Sequence, residues 1–281
     1  MKFGANTFIW TSPFRTEDLG LLPKIKEMGF DVVEIPPEDF SVLDLKKLKA
    51  ELKATELACS ILCAYGPTRD ISDEDEDIQK DGIAYIEDCI RVAAELGAKV
   101  VAGPLYAAVG ALRLLSEEER KKQWDRSANN LKKVAAFAKN QGITLGIEPI
   151  NRFETDLINT VDYAIKMMQD VDNPNMKIQL DTFHMNIEEK NLGEAIRRVG
   201  KDLVHFHTCE NDRGIPGSGH IPWNEVTAAL KDIEYDGYLV IESFTPETKE
   251  IAKAACIWRP IASSSDILAK QGLDFLKKTF I

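Results

Sequence analysis

The 281-residue chain contains no apolar run of the roughly 18 residues that a membrane-spanning helix requires, so no membrane partner is expected. Its opening, MKFGANTFIW, lacks a hydrophobic signal segment followed by small residues, and a cytoplasmic location is expected. Cysteine is sparse. Cys59, Cys63, Cys89, Cys209 and Cys256 form no CxxC pair and are odd in number, a pattern of reduced, mostly buried thiols rather than a disulfide framework or a thiolate zinc site. Basic residues are in deficit: 35 Lys and Arg against 46 Asp and Glu leave a formal charge of −11, which excludes the basic footprint that nucleic acid demands. No GxGxxG, GxxxxGK[ST] or HExxH motif is present, and there are only four histidines. No linker or low-complexity stretch interrupts the chain, so one domain over residues 1–281 is expected.

What is present is a repeating unit. Short apolar runs at 3–10, 31–35, 57–63, 99–105, 144–150, 177–183, 203–209 and 238–244 read as strands. Between them lie amphipathic stretches such as DGIAYIEDCIRVAAELG and SANNLKKVAAFAKNQG, several stopped by glycine at Gly29, Gly97 and Gly142. Eight strands, each followed by a helix, at roughly 35 residues per unit predict an α/β protein folded as a single (β/α)8 TIM barrel. A doubly wound open sheet is the competing architecture, but the glycine-rich phosphate turn after its first strand is missing from NTFIWTSPF. The acidic tract SDEDEDIQKD at 72–81 reads as a solvated loop and a first helical turn, where acids favour the helix N-terminus.

In such a barrel chemistry sits at the C-terminal ends of the strands. In TLGIEPINRFET the apolar run 144–147 meets Glu148, a charge that burial penalises unless it is paired or metal-bound, and then Pro149, which stops a ladder. Asp181 ends the sixth strand in KIQLDTFHMN, His207 the seventh in LVHFHTCEND, and Glu242 the eighth in YLVIESF. Four successive strands thus offer a ligand at one level, 33, 26 and 35 residues apart. Three carboxylates and one imidazole suit a divalent cation of intermediate hardness: Mn²⁺, Mg²⁺ or Co²⁺. Alternation along the seventh strand turns His205, His207 and Cys209 inward. His205, one layer deeper, is expected to be a core histidine, and Cys209 a small packed thiol.

IEPINRFET, LDTFHMNIEE, HFHTCENDRGIPGSGHIPW and VIESF resemble the ketose 3-epimerases (D-tagatose, D-allulose or D-psicose, and L-ribulose 3-epimerases) of the xylose-isomerase-like barrel superfamily, and the likeness runs along nearly the whole chain. The resemblance implies one divalent ion per chain, commonly Mn²⁺, held by Glu148, Asp181, His207 and Glu242, with Glu148 and Glu242 doubling as the acid/base pair. It implies that Glu154, His184 and Arg213 bind the O1–O3 end of a small ketose, and that the protein is a homodimer or homotetramer. Arg213, read by itself in its glycine- and proline-rich loop, leaves a surface arginine as the lesser alternative. Val109 stands where members of the family often carry an aromatic residue and Phe14 where some have a tryptophan, which leaves the preferred sugar open.

The implied reaction removes the proton at C3 of a ketose and returns one to the opposite face through a cis-enediolate, a task for two carboxylates with a Lewis acid between them. An aldose–ketose isomerase, moving a proton between C1 and C2 on the same barrel, is the main alternative. An abasic-site endonuclease conflicts with the negative charge, and a non-catalytic sugar-binding barrel has no need of paired glutamates.

Overall fold

The computed structural model describes residues 1–281. Its centre is a closed barrel of eight parallel strands in sequence order: β1 (Lys2–Asn6), β2 (Val32–Ile35), β3 (Ala58–Leu62), β4 (Val100–Gly103), β5 (Thr144–Ile147), β6 (Met176–Asp181), β7 (Leu203–His207) and β8 (Tyr238–Ile241). Closure is made by β1 pairing with β8, with Lys2 opposite Tyr238 and Ala5 opposite Ile241. Parallel neighbours cannot be joined by a tight turn, so each crossover carries helix. The crossover helices are α1 (Leu21–Met28), α2 (Leu45–Thr55), α3 (Glu76–Leu96), α4 (Glu117–Gln141), α5 (Val161–Val171), α6 (Thr182–Glu188) and α7 (Leu192–Val199). After them come α8 (Trp223–Asp232), α9 (Lys249–Ala254) and α10 (Ser265–Phe280). None of these helices is long and apolar enough to cross a membrane.

Local sequence sets the helix ends. Asp44, Asp75, Asn191 and Ser264 accept backbone N–H groups at helix starts, and Ser116 with Glu119 forms a capping box. Asp75 places the acidic tract in a loop and the first turn of α3, as its composition implies. Gly29, Gly97 and Gly142 close α1, α3 and α4 in the left-handed conformation.

Two expectations need correction. The strands are shorter than their apolar runs, and β6 is followed by two helices, as is β8. The expected strand 3–10 ends at Asn6, whose carboxamide accepts the N–H of Phe8 and turns the chain into a 3-10 segment. The run 177–183 ends at Asp181, which caps α6 by accepting from Phe183 at 2.8 Å. In both runs a side-chain acceptor competes with the ladder for the next N–H.

Buried apolar side chains of the strands and inner helix faces make one continuous core. A small separate cluster of Phe8, Leu62, Phe244, Ala252 and Ile257 ties α9 across the barrel mouth.

Candidate active site

Glu148 is the first residue beyond β5, and its N–H still donates to Gly103 O at 2.9 Å before Pro149 ends the ladder. Gly103 has φ +136, and a Cβ there would stand 2.4 Å from Cys63 O, so only glycine lets β3 and β4 close up beneath the mouth. Asp181 and His207 are the last residues of β6 and β7 and face each other in register. Glu242 is the first residue beyond β8. All four are buried.

The four side chains converge. His207 Nδ1 lies 3.8 Å from Glu148 Oε1, 3.9 Å from Asp181 Oδ2 and 3.5 Å from Glu242 Oε2. Ligand atoms of Glu148, Asp181 and His207 fall within 4.8 Å of one another, and so do those of Asp181, Cys209 and Glu242. Glu148 Oε1 is buried without a hydrogen-bond partner. An orphaned carboxylate oxygen costs a kcal/mol or more, roughly 1–3, unless something else satisfies it. A buried oxygen-rich set with one imidazole fits a divalent cation. Cys209 stays a thiol: burial pushes it well up, and its Sγ donates to Glu242 O at 2.9 Å.

Arg213 belongs to this cluster rather than to the surface. Only 5 % exposed, it extends from the β7–α8 connection to place Nη1 2.5 Å from Asp181 Oδ2 and 2.8 Å from Glu242 Oε2. Its guanidinium stacks over Phe183, 4.0 Å from the ring centroid. Its backbone has φ +65, a conformation costing roughly 1–3 kcal/mol in a non-glycine residue and held here by those contacts.

These neighbours separate the two glutamates. Burial pushes the Glu148 carboxyl well above the usual range, and Glu242 and Asp181 add to it against the pull of His207. Burial also raises Glu242, but Arg213 and His207 outweigh it and hold that carboxyl below its ordinary value.

His184, on the first turn of α6, receives the Asn151 N–H on Nδ1 at 3.1 Å, and its Nε2 lies 3.1 Å from Arg213 Nη2. Burial, then the charge of Arg213, hold it well below the usual histidine range, so it is neutral. Asn151 also donates to Glu154 Oε1 at 2.8 Å, fixing that carboxylate. Glu148, Glu154, His184, Arg213 and Glu242 line one cavity of about 240 Å³, and Asp181 and His207 lie against its Glu148 and Glu242. Val109 lines it as well. Phe14 does not: it is buried in the main core.

Glu34 was missed. It lies within β2, fully buried, and reaches across the lumen to hold Nε2 of His207 at 2.7 Å and of His205 at 2.6 Å. Asn6 and Ser60 donate to its two oxygens at 3.0 and 3.1 Å. Burial raises the Glu34 carboxyl, but the two histidines reverse that and hold it well down. With Nε2 of His207 engaged, Nδ1 is the nitrogen turned to the carboxylate ring. The signal was in VVEI, a charge inside an apolar strand, the same anomaly that marks Glu148. His205 is buried in the core as expected, with Nε2 2.6 Å from Glu34 Oε2, but it is not the satisfied core histidine the sequence suggests, since neither ring nitrogen makes a well-aligned hydrogen bond.

The model of the xylose isomerase-like TIM barrel family matches residues 22–279. The chain is 34 % identical over 280 residues to a Synechocystis protein named "Probable ketose 3-epimerase", covering 100 % of this chain and 97 % of that one. It is 32 % identical over 278 residues to the L-ribulose 3-epimerase of Mesorhizobium japonicum, covering 98 % and 93 %. Among solved structures, D-psicose 3-epimerase with D-tagatose from Clostridium cellulolyticum H10 superposes with a TM-score of 0.92 at 31 % identity, covering 100 % and 99 %.

Proposed function

The chain belongs to the xylose isomerase-like TIM barrels and, within them, to the ketose 3-epimerases, and from that membership we propose that it inverts C3 of free ketoses of the D-psicose/D-fructose, D-tagatose or L-ribulose type. The observation that carries this reading is the pair of buried glutamates in unlike settings: Glu242 paired with Arg213, Glu148 with an oxygen no donor reaches. They follow β5 and β8, three strands apart around the ring, and so flank a substrate lying across the mouth.

One divalent ion, Mn²⁺ in the first instance, would be held by Glu148, Asp181, His207 and Glu242 and would supply Lewis acidity toward the charge that develops on the sugar oxygens. Glu148 and Glu242 face C3 from opposite sides; one carboxylate takes the proton and the other returns one, which is what inversion requires. Arg213 offers fixed N–H donors to the carbonyl end, and His184, held neutral by burial and Arg213, adds a hydrogen-bonding nitrogen beside it. Glu154 accepts from a substrate hydroxyl while Asn151 keeps it oriented. Glu34 holds His207 in one tautomer from behind. The roof formed by α9 limits water at the reacting carbon.

Turnover of D-psicose in deuterium oxide tests the reading. Deuterium in the product at C3 is the expected result; deuterium at C1 with none at C3 transfers the protein to the aldose–ketose isomerases. The proposal extends to a homodimer or homotetramer, for which Leu112, Leu114 and Phe153 supply exposed apolar surface beside the Ala111–Thr155 bridge. Light scattering on the purified protein measures that mass.

A further inference from the structure

The cavity has one polar side and one apolar side. The catalytic carboxylates, His184 and Arg213 come from the β5–β8 half, whereas the β1–β4 half offers Phe8, Leu62, Pro104 and Val109 and a single charged side chain, Glu38. Tyr65 is on the same wall, but its hydroxyl is already donated to Leu105 O at 2.7 Å. Glu38 follows β2, and in an eight-strand ring β2 is four places from β6, so Glu38 stands across the mouth from Asp181 and His184.

Nothing in the fold uses up this carboxylate. One donor, the Ser12 hydroxyl, spans its two oxygens at 2.9 and 2.7 Å, and Glu38 makes no ion pair. A single hydroxyl proton leaves most of a carboxylate's lone-pair sites free. Burial, with the negative charge of Glu250 on α9, pushes its carboxyl above the ordinary range, as expected for an acid in a half-closed pocket with little compensation. A ketose whose C1–C3 end lies against Arg213, Glu148 and Glu242 extends its other end toward this wall.

We propose that Glu38 is a specificity-determining residue that accepts a hydrogen bond from the terminal hydroxyl of the ketose, remote from the reacting carbon, and that its charge turns away a phosphate at that position. This inference rests on the 3-epimerase reading and adds the group that recognises the far end of the sugar.

The test compares the intact protein with Glu38→Leu and Glu38→Gln in C3 epimerisation of D-psicose, its 6-deoxy analogue and its 6-phosphate. Glu38→Leu is expected to lower kcat/KM for D-psicose about 10- to 100-fold, the value of a hydrogen bond to a charged group, and to leave the 6-deoxy sugar unchanged. The loss falls on KM, since the contact is made equally in ground and transition states. Glu38→Gln, which keeps an acceptor oxygen without the charge, is expected to restore most D-psicose activity and to raise the 6-phosphate-to-free-sugar ratio about 10-fold or more. Equal losses on D-psicose and the 6-deoxy sugar, or no loss on either, overturn the assignment of Glu38 and leave the 3-epimerase reading standing. A wild-type protein that epimerises no ketose overturns both.

Discussion

The two halves of the barrel mouth are built from the same strand–helix unit and do opposite things. The β5–β8 half ends in Glu148, Asp181, His207 and Glu242, four buried ionisable groups within a few ångströms, backed by Arg213. The β1–β4 half ends largely in apolar side chains and packs under α9 through Phe8 and Leu62. Charge crowded into one half gives the proposed reaction its cation ligands and proton carriers; apolar surface on the other would give a substrate somewhere to lie and exclude water. The division is not complete. Glu34 crosses from β2 to brace His207, and the barrel needs both halves for that imidazole to be aimed.

The most severe way to break the comparison is to blunt the polar half. Glu148→Gln and Glu242→Gln keep size and one oxygen but cannot accept a proton, and each is expected to lose about 10²- to 10⁴-fold in epimerisation followed by chromatography. An undiminished rate in either variant removes that glutamate from the chemistry. Next in size is the cation. Mn²⁺ at about 100 times its dissociation constant is expected to stabilise the fold by about 2.7 kcal/mol, read as a rise in Tm that chelation reverses. Asp181→Asn or His207→Ala should abolish that rise, and a full rise in either withdraws it as a ligand.

Glu34→Gln sharpens the comparison by cutting the one brace from β2. The expected outcome is about 10- to 100-fold weaker Mn²⁺ binding by titration, with the four ligands intact. Wild-type affinity would confine the metal site to β5–β8. Smaller again is Val109→Trp on the apolar wall, expected to shift the ratio of activities among sugars differing at C4–C6 by about 10-fold, with unchanged ratios placing Val109 outside the sugar's reach. Phe14→Leu is the smallest case: a stability loss of about 1 kcal/mol in denaturant titration and no change in any sugar ratio, because Phe14 packs in the core.

Much of this arrangement could be read before any fold was known. A glutamate after Thr144–Ile147 followed by proline, and an aspartate, a histidine and a second glutamate at matching places in later units, are local anomalies against apolar runs, and burial makes such anomalies meaningful. The strand ends were less legible. Asn6 and Asp181 stop β1 and β6 by accepting N–H groups two residues on, a competition that hydrophobic pattern does not record.

Residue types and their period decided the eight strands, the glycine-stopped helices and the common level of Glu148, Asp181, His207 and Glu242, because alternation and capping act over a few residues. Tertiary structure alone decided the rest. Closure of the ring brings Glu34 of β2 against His207 of β7, 173 residues later, and so selects the imidazole nitrogen that faces the carboxylates. Burial between Phe183, Asp181 and Glu242 makes Arg213 part of the site instead of a loop arginine. Packing put Val109 in the cavity and Phe14 in the core. Each of these depends on which distant side chains share one low-dielectric space, a property of the closed barrel that no short stretch of the chain carries.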